Sequence, residues 1–422
     1  MTQTAPTPTG PAPTARTIQR TYLALTTVTT LATSFIWGIN TLFLLDAGLS
    51  NTEAFAANAF YAIGQVIFEV PTGVVADTRG RRFSYMLGAA TLLASTVLYL
   101  VMWQVHAPFV GWALASALLG LGFTFFSGAT EAWLVDALGA TGFSGQLETV
   151  FGRAQTASGA AMLIGSVLGG VVAQATNLGV PYILRAAMLG VTLVIAFRFM
   201  HDVGFTPRHG ADPVTEVRAV IRGSMEAGWR NPPVRALMLA APFSSGVGFF
   251  AFYASQPYLL QLYGDPNAYS VAGLAAALFA GAQIAGGLLV PYARRLFRRR
   301  TDAVLLAAVA TVGIFAVIGF TTSFVVALVL LAAWSMLFAI EGPLRQAFIN
   351  GIIPSEQRAT VLSFDSFMGS IGGAVAQPGL GRVSDVYGYG PAYVVAGVIQ
   401  AFAIPFVILA RRQRAASDPI EA

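Results

Sequence analysis

Gly73-Val-Val-Ala-Asp77-Thr-Arg79-Gly80-Arg81-Arg82 separates two long apolar runs, one starting near residue 53 and the next near residue 83. Each polar or small residue in it has a physical reading. Gly73 permits close approach by a neighbouring helix. Asp77 falls at the C-terminal end of its helix, where a negative charge opposes the helix dipole. It is therefore expected to face a cation or another helix's N-terminus. Gly80 allows a tight turn, and Arg81 can fold back to pair with an acid. Read only as orientation charges, Arg79, Arg81 and Arg82 leave Gly73, Asp77 and Gly80 unexplained.

The flanking runs belong to a pattern that fills the chain. Of 422 residues, 56% are hydrophobic and 10% charged, whereas a soluble domain carries about 25% charged residues. Apolar runs of about 20 residues recur, the length a helix needs to cross the bilayer core. They do not alternate in polarity as barrel strands do. The reading is an all-α polytopic membrane protein with twelve transmembrane helices arranged as two six-helix pseudo-repeats. The first six spans are expected at about 20–46, 53–76, 83–104, 109–137, 147–174 and 179–200. The other six are expected at about 235–262, 268–293, 302–320, 323–349, 356–378 and 390–410. Between the sets runs a polar stretch with Asp202, Arg208, Asp212, Glu216, Arg218, Arg222, Glu226 and Arg230. The expected domains are a disordered tail (1–17), an N-terminal bundle (18–200), a cytoplasmic linker (201–232), a C-terminal bundle (233–411) and a C-terminal tail (412–422). The Pro- and Thr-rich start lacks the hydrophobes of a core and the pattern of a signal peptide.

Arginine sets the orientation. With the N-terminus inside, one side carries Arg16, Arg20, Arg79, Arg81, Arg82, the linker arginines, Arg294 to Arg300, Arg358, Arg411, Arg412 and Arg414. The other carries Arg382, with Asp46, Glu53, Asp265 and Asp385. Both termini are expected in the cytoplasm of a bacterial cell, with the chain in its inner membrane.

Composition also excludes chemistry. All 24 basic residues are Arg. Without Lys there is no Walker A loop and no Schiff base. With no Cys there is no disulfide or thiol catalysis. His106, His201 and His209 fall in loops or at helix ends, which leaves no His-based metal site on a span. No enzyme activity, cofactor, metal or nucleic-acid partner is expected.

An internal repeat supports the division into six and six. At an offset of 211, Ser144, Gln146, Thr149 and Val150 fall on Ser355, Gln357, Thr360 and Val361. Gly170, Gly179 and Tyr182 fall on Gly381, Gly390 and Tyr393. Parallel repeats of this kind belong to carriers whose halves rock about a midplane site.

The 73–82 stretch resembles the signature loop of the major facilitator superfamily, Gly-x-x-x-Asp-x-x-Gly-Arg-Arg, and it stands where that loop does, after the second span. The resemblance implies a conformational gate in which Arg81 pairs with an acid at the cytoplasmic end of the fourth span, a position Asp136 fits. Asp77, Arg81 and Asp136 are expected within salt-bridge reach in the outward-facing state. In the second half Pro291 replaces the acid, in Gly287-Leu-Leu-Val-Pro291. Gly165-Ser166-Val167-Leu168-Gly169-Gly170 resembles an antiporter motif with Ser166 for Pro, and reads equally as small-residue packing. The basic residue that many drug antiporters carry in the fourth span is missing between Ala113 and Thr130.

Ionisable residues inside spans are functional candidates. Asp365, Glu131, Glu69 and Glu341 are the candidates for proton coupling, with Arg153 and Arg345 as charge partners. Glu131 and Arg153, each about 9 Å from the cytoplasmic side by helical rise, are expected to pair. Glu341 and Arg345 can pair four residues apart, and Glu69 shares a face with Gly73 and Asp77. Asp365 has no partner near in sequence and leads the proton candidates, because a buried, unpaired carboxylate holds its proton more tightly. Asn40, Arg185, Tyr253 and Gln256 are the candidates for the substrate cavity. The functional expectation is a monomeric, proton-coupled exporter of small amphiphilic organic molecules. A nutrient importer of the same fold and a non-transporting membrane sensor are the rivals.

Overall fold

The computed structural model describes residues 14–207, 228–354 and 357–420, together with Thr215, Arg218 and Arg222. Residues 1–13 of the expected tail, Arg208, Asp212, Glu216 and Glu226 of the linker, Ser355 of the repeat and His209 lie outside the described residues.

The first half contains α1 (Ala15–Ser34), α2 (Asn40–Asp46), α3 (Asn51–Arg79), α4 (Arg81–Val105), α5 (Phe109–Thr124), α6 (Ala129–Ala140), α7 (Leu147–Ala175) and α8 (Gly179–Phe199). The second contains α9 (Pro232–Tyr263), α10 (Tyr269–Leu296), α11 (Arg300–Phe320), α12 (Phe324–Asn350), α13 (Arg358–Tyr387), α14 (Tyr389–Ala401) and α15 (Ala403–Arg412). Three crossings are interrupted: α1 with α2 is the first, α5 with α6 the fourth, and α14 with α15 the twelfth. Ten helices qualify as spans by length and apolarity alone. The first crossing is cut short by its break, and α13 carries Asp365, Gln377, Arg382 and Asp385, which lower its apolarity. With these two the crossings among the described residues number twelve.

Helix starts follow local chemistry. Thr14 caps α1 by accepting from the Thr17 amide, so the last residues of the expected tail are helical. Ser50 and Glu53 form a capping box at α3, and Pro232 and Pro233 open α9, where their missing amide protons have no partner to lose. The breaks lie at Phe35–Ile39 and Phe125–Gly128, with Gly128 left-handed at φ 67°. A broken backbone inside a bilayer survives only where protein or a wet cavity satisfies it.

Helix pairing repeats between the halves. Spans 2 and 4 pack together, as do 8 and 10; 3 on 6 matches 9 on 12, and 1 on 5 matches 7 on 11. Between halves, span 2 packs on 11 and span 5 on 8, contacts that a twofold exchange of the halves interconverts. Gln146 and Gln357 are the N-caps of α7 and α13. Gly170 and Gly381 occupy equivalent places in the interface: a Cβ on Gly170 would lie 2.5 Å from the Tyr269 carbonyl, and one on Gly381 2.8 Å from that of Asn51.

An even number of crossings puts both chain ends on one side, the terminal side; the opposite side is the far side. Among the described residues, every hydrogen bond between halves lies toward the far side. Asp385 accepts from the Asn51 and Thr52 amides at 2.9 Å each and from Thr52 Oγ1 at 2.5 Å. Tyr389 donates to Asn51 Oδ1 at 2.5 Å. The Ser270 amide donates to Gln174 at 3.4 Å, and Gln256 bonds across the first-span break. Among the described residues the halves are latched together on the far side and make no hydrogen bond to each other on the terminal side. On the terminal side the C-terminal tail is tied down: Asp418, 1% exposed, accepts from the Thr301 amide at 2.9 Å and its hydroxyl at 2.8 Å.

Candidate functional site

The signature loop is a brace inside the first half. Gly80, at φ 110°, turns the chain between α3 and α4. Arg81 donates to Asp77 at 2.5 Å and lies 3.8 Å from Asp136 of α6. These three were expected together in the outward-facing state; they are together here with the far side closed. The reason is topological, since all three residues lie within the first half, where spans 2, 3 and 4 pack on one another. Gly73 differs from expectation too: nothing lies within 4 Å of its Cβ position, so no helix approaches it in this arrangement. Glu69, on the same face, accepts from Ser127 at 2.6 Å in the break of the fourth span.

Asp202, read in the sequence only as a linker charge, completes the loop. Its carboxylate accepts the Arg82 amide at 2.8 Å, capping α4, which has no capping side chain of its own. A Cβ on Gly80 would collide with that carboxylate. Burial pushes the Asp202 carboxyl above its usual range, against the pull of the Arg82 amide and the Arg82 and Arg81 charges. Arg82 also donates to the Phe197 carbonyl at 2.5 Å, near the end of α8. The available signal was an acid just past span 6 and a helix start, Gly80-Arg81-Arg82, lacking Ser, Thr, Asp or Asn.

On the terminal side the first half borders a cavity of about 690 Å³, with Thr26, Thr30, Trp37, Tyr85, Phe126 and Glu131 in its wall. The expected Glu131–Arg153 pair is not formed: no ion pair joins them among the described residues. Arg153 instead borders a small surface cavity with Arg16 and Arg20. Side chains at one depth can leave their helices on different faces, so equal depth did not bring the two side chains together.

The second half holds a half-buried charge cluster. Arg345 of α12 makes a two-pronged bond with Asp365 of α13, one prong at 2.6 Å and the other through Nη1 and Oδ2. It also donates to the Leu237 carbonyl at 3.0 Å. This corrects the expectation that Asp365 is unpaired and that Arg345 pairs with Glu341. A partner 20 positions away on another helix is invisible to spacing rules. Glu341 borders the same cavity of about 220 Å³ without a hydrogen bond or ion pair of its own among the described residues.

The substrate-cavity candidates divide. Gln256 is 4% exposed and clamps the first-span break: it accepts the Thr41 amide at 2.8 Å and donates to the Trp37 carbonyl at 3.0 Å. It satisfies backbone that the break sets free, and is not a cavity wall in this arrangement. Asn40 donates to Asn58 at 2.9 Å and accepts from Tyr182 at 3.0 Å. Arg185 is 2% exposed and donates from Nε to Thr96 at 3.0 Å. Phe252, beside Tyr253, packs at a tilt against Trp37 with centroids 4.9 Å apart. The Gly165–Gly170 run packs α7 on neighbours: a Cβ on Gly165 would lie 2.6 Å from that of Ser34, and one on Gly170 would meet Gly273 of α10 at 2.8 Å.

Two six-span bundles, closed together at one side around polar groups near the middle of the bilayer, have the architecture of a membrane carrier. The chain belongs to the Major Facilitator Superfamily, whose family description matches residues 22–377. It is a secondary transporter that carries a small molecule across a membrane. No curated protein matches the sequence. Among solved structures it is similar to the nucleoside transporter NupG, at 10% identity and TM-score 0.79 over 93% of this chain and 98% of that one. It is also similar to a bacterial homolog of the human lysosomal transporter Spinster in an inward-facing conformation, at 15% identity and TM-score 0.69 over 98% and 100%. A D-xylose–proton symporter aligns at 16% identity and TM-score 0.66 over 93% and 96%. At these identities the likeness is one of fold.

Proposed function

We propose that the protein exports small amphiphilic organic molecules from a bacterial cytoplasm by alternating access, driven by protons. The terminal side is then cytoplasmic, in keeping with its arginine excess, and the far-side closure is the inward-facing state. The carrying observation is the 690 Å³ cavity on that side, with aromatic rings, threonine hydroxyls and one carboxylate, Glu131, in its wall. Apolar surface with a few placed polar groups suits an amphiphile.

The proton pathway we favour is the Glu341–Arg345–Asp365 cluster. Two carboxylates and one guanidinium line a single half-buried cavity, so the fully deprotonated set carries a net charge of −1. A proton removes that charge, and the cost of burying a charge makes its uptake favourable when the cavity closes to water. Asp365 is held by Arg345, so Glu341 becomes the proton carrier and Asp365 the residue that fixes the arginine. Glu131 is the rival site and Glu69 the weaker one, being bonded to Ser127.

The test is substrate flux in inverted membrane vesicles, with a panel of amphiphilic dyes and an imposed pH gradient, acid inside. Accumulation that collapses with the gradient is expected. Glu341→Gln should abolish accumulation while leaving downhill exchange. Loss of coupling in Glu131→Gln alone moves the role to the fourth span. Flux indifferent to the gradient in the unmodified protein overturns proton coupling and favours a facilitator.

A further inference from the structure

Two arginines inside the spans, Arg185 buried and Arg345 half-buried, are treated differently. Arg345 is neutralised by Asp365. Arg185, about 9 Å inside the far end of α8 by helical rise, has no carboxylate within ion-pair distance among the described residues. The ionisable groups acting on it are the phenols of Tyr182, Tyr61 and Tyr99. Among the described residues its one hydrogen bond runs from Nε to Thr96, and Nη2 is buried with no partner. A guanidinium does not escape such a place by losing its proton, and an uncompensated buried charge is among the costliest features a fold can carry.

Other donors are left over nearby. Tyr182 binds Asn40, which binds Asn58, and Asn58 Nδ2 is buried without a partner. Thr41 Oγ1, next to Asn40, is unpartnered as well. Surplus donors around an unneutralised cation call for a ligand rich in acceptors. Tyr61 packs edge-on against Phe123 in the wall of the terminal-side cavity, centroids 5.8 Å apart. Tyr99 and Tyr182 stack at 6.0 Å on the other flank.

We propose that Arg185 anchors an anion site and that the transported amphiphile carries a carboxylate, with an aromatic or other flat apolar body. The guanidinium fork meets the carboxylate, Asn58 and Thr41 supply further donors, and the tyrosines face the apolar body. This rests on the transporter reading above and names the substrate class of that carrier.

The experiment measures thermal stabilisation of the purified full-length protein by benzoate and salicylate against the matched neutral amides, benzamide and salicylamide, in a chloride-free buffer. The acids are expected to stabilise and the amides not. Arg185→Gln should weaken the acid response about tenfold or more, the worth of a charge-assisted bond, and Arg185→Lys should keep part of it. Equal responses to acid and amide, no response to either acid, or an unchanged response in Arg185→Gln overturns the proposal. So does full stabilisation by chloride alone, which would make the site a halide counter-ion site. If Arg185→Gln fails to fold, the acid–amide comparison in the unmodified protein still decides. Vesicle flux separates the two readings: amides moved without acid binding sink the anion site and spare the exporter. Acids that bind through Arg185 but are never moved spare the site and sink the exporter.

Discussion

Arg81 shows at the residue scale what a local motif reveals. That Asp77 would face a cation and Arg81 fold back on an acid was legible from the helix end and the turn at Gly80, and the approach to Asp136 only through the family resemblance. The gate role is our proposal: the brace keeps spans 2, 3 and 4 one body while Gly73 offers a bare face to span 11 when the terminal side closes. Arg81→Ala should leave membrane insertion intact, because Arg79 and Arg82 preserve the topology signal, and should lower transport; normal flux in that variant reduces the loop to a topology device. Asp202 gives a sharper local test. With its folded-state affinity for a proton raised, its titration favours the folded protein below the ordinary carboxylate range and loses that effect as pH rises through the raised value. Asp202→Asn keeps the oxygen that caps α4 without a buried charge, and should melt at or above the parent temperature. Asp202→Ala loses the cap and about 1 kcal/mol, seen as a lower melting temperature in detergent. Equal melting of the two variants would contradict the capping role.

Breaks and latches operate at the element scale. The interruption after Ser34 frees Trp37 and Thr41 backbone, and Gln256 from the other half takes up both. Asp385 does the same for the start of α3, placing a carboxylate at a helix N-terminus where the dipole favours it. Neither contact was legible: Gln256 read as a cavity amide and Asp385 as an outer charge, because their partners lie more than two hundred residues away and are backbone groups. Asp385→Ala should loosen the far-side closure. The chain has no cysteine, so a single Ala276→Cys, at a residue 3% exposed against Gly38, reports opening through maleimide labelling from the far side. Labelling several-fold faster in the Asp385→Ala background is expected; an unchanged rate means that Asp385 is not a latch.

For the whole molecule, twelve crossings and the repeat were legible because bilayer thickness and duplicated motifs write themselves into sequence. The Arg345–Asp365 bond was not, since charge pairing across helices depends on which faces meet. Asp365→Asn tests the revised proton assignment: it leaves Arg345 to Glu341, whose proton carriage should then fail, so gradient-driven accumulation drops as in Glu341→Gln. Retained accumulation in Asp365→Asn would show that Arg345 needs no fixing.

Alternating access itself is tested most directly by spin-label distances. Cysteine pairs at Thr78 with Ser363, on the terminal side, and at Ala56 with Tyr387, on the far side, both join spans 2 and 11. As pH and dye are varied in lipid, the terminal-side distance should shorten in the same population in which the far-side distance lengthens. Distances that stay fixed, or that change together in the same direction, would contradict a carrier whose halves rock about a midplane site.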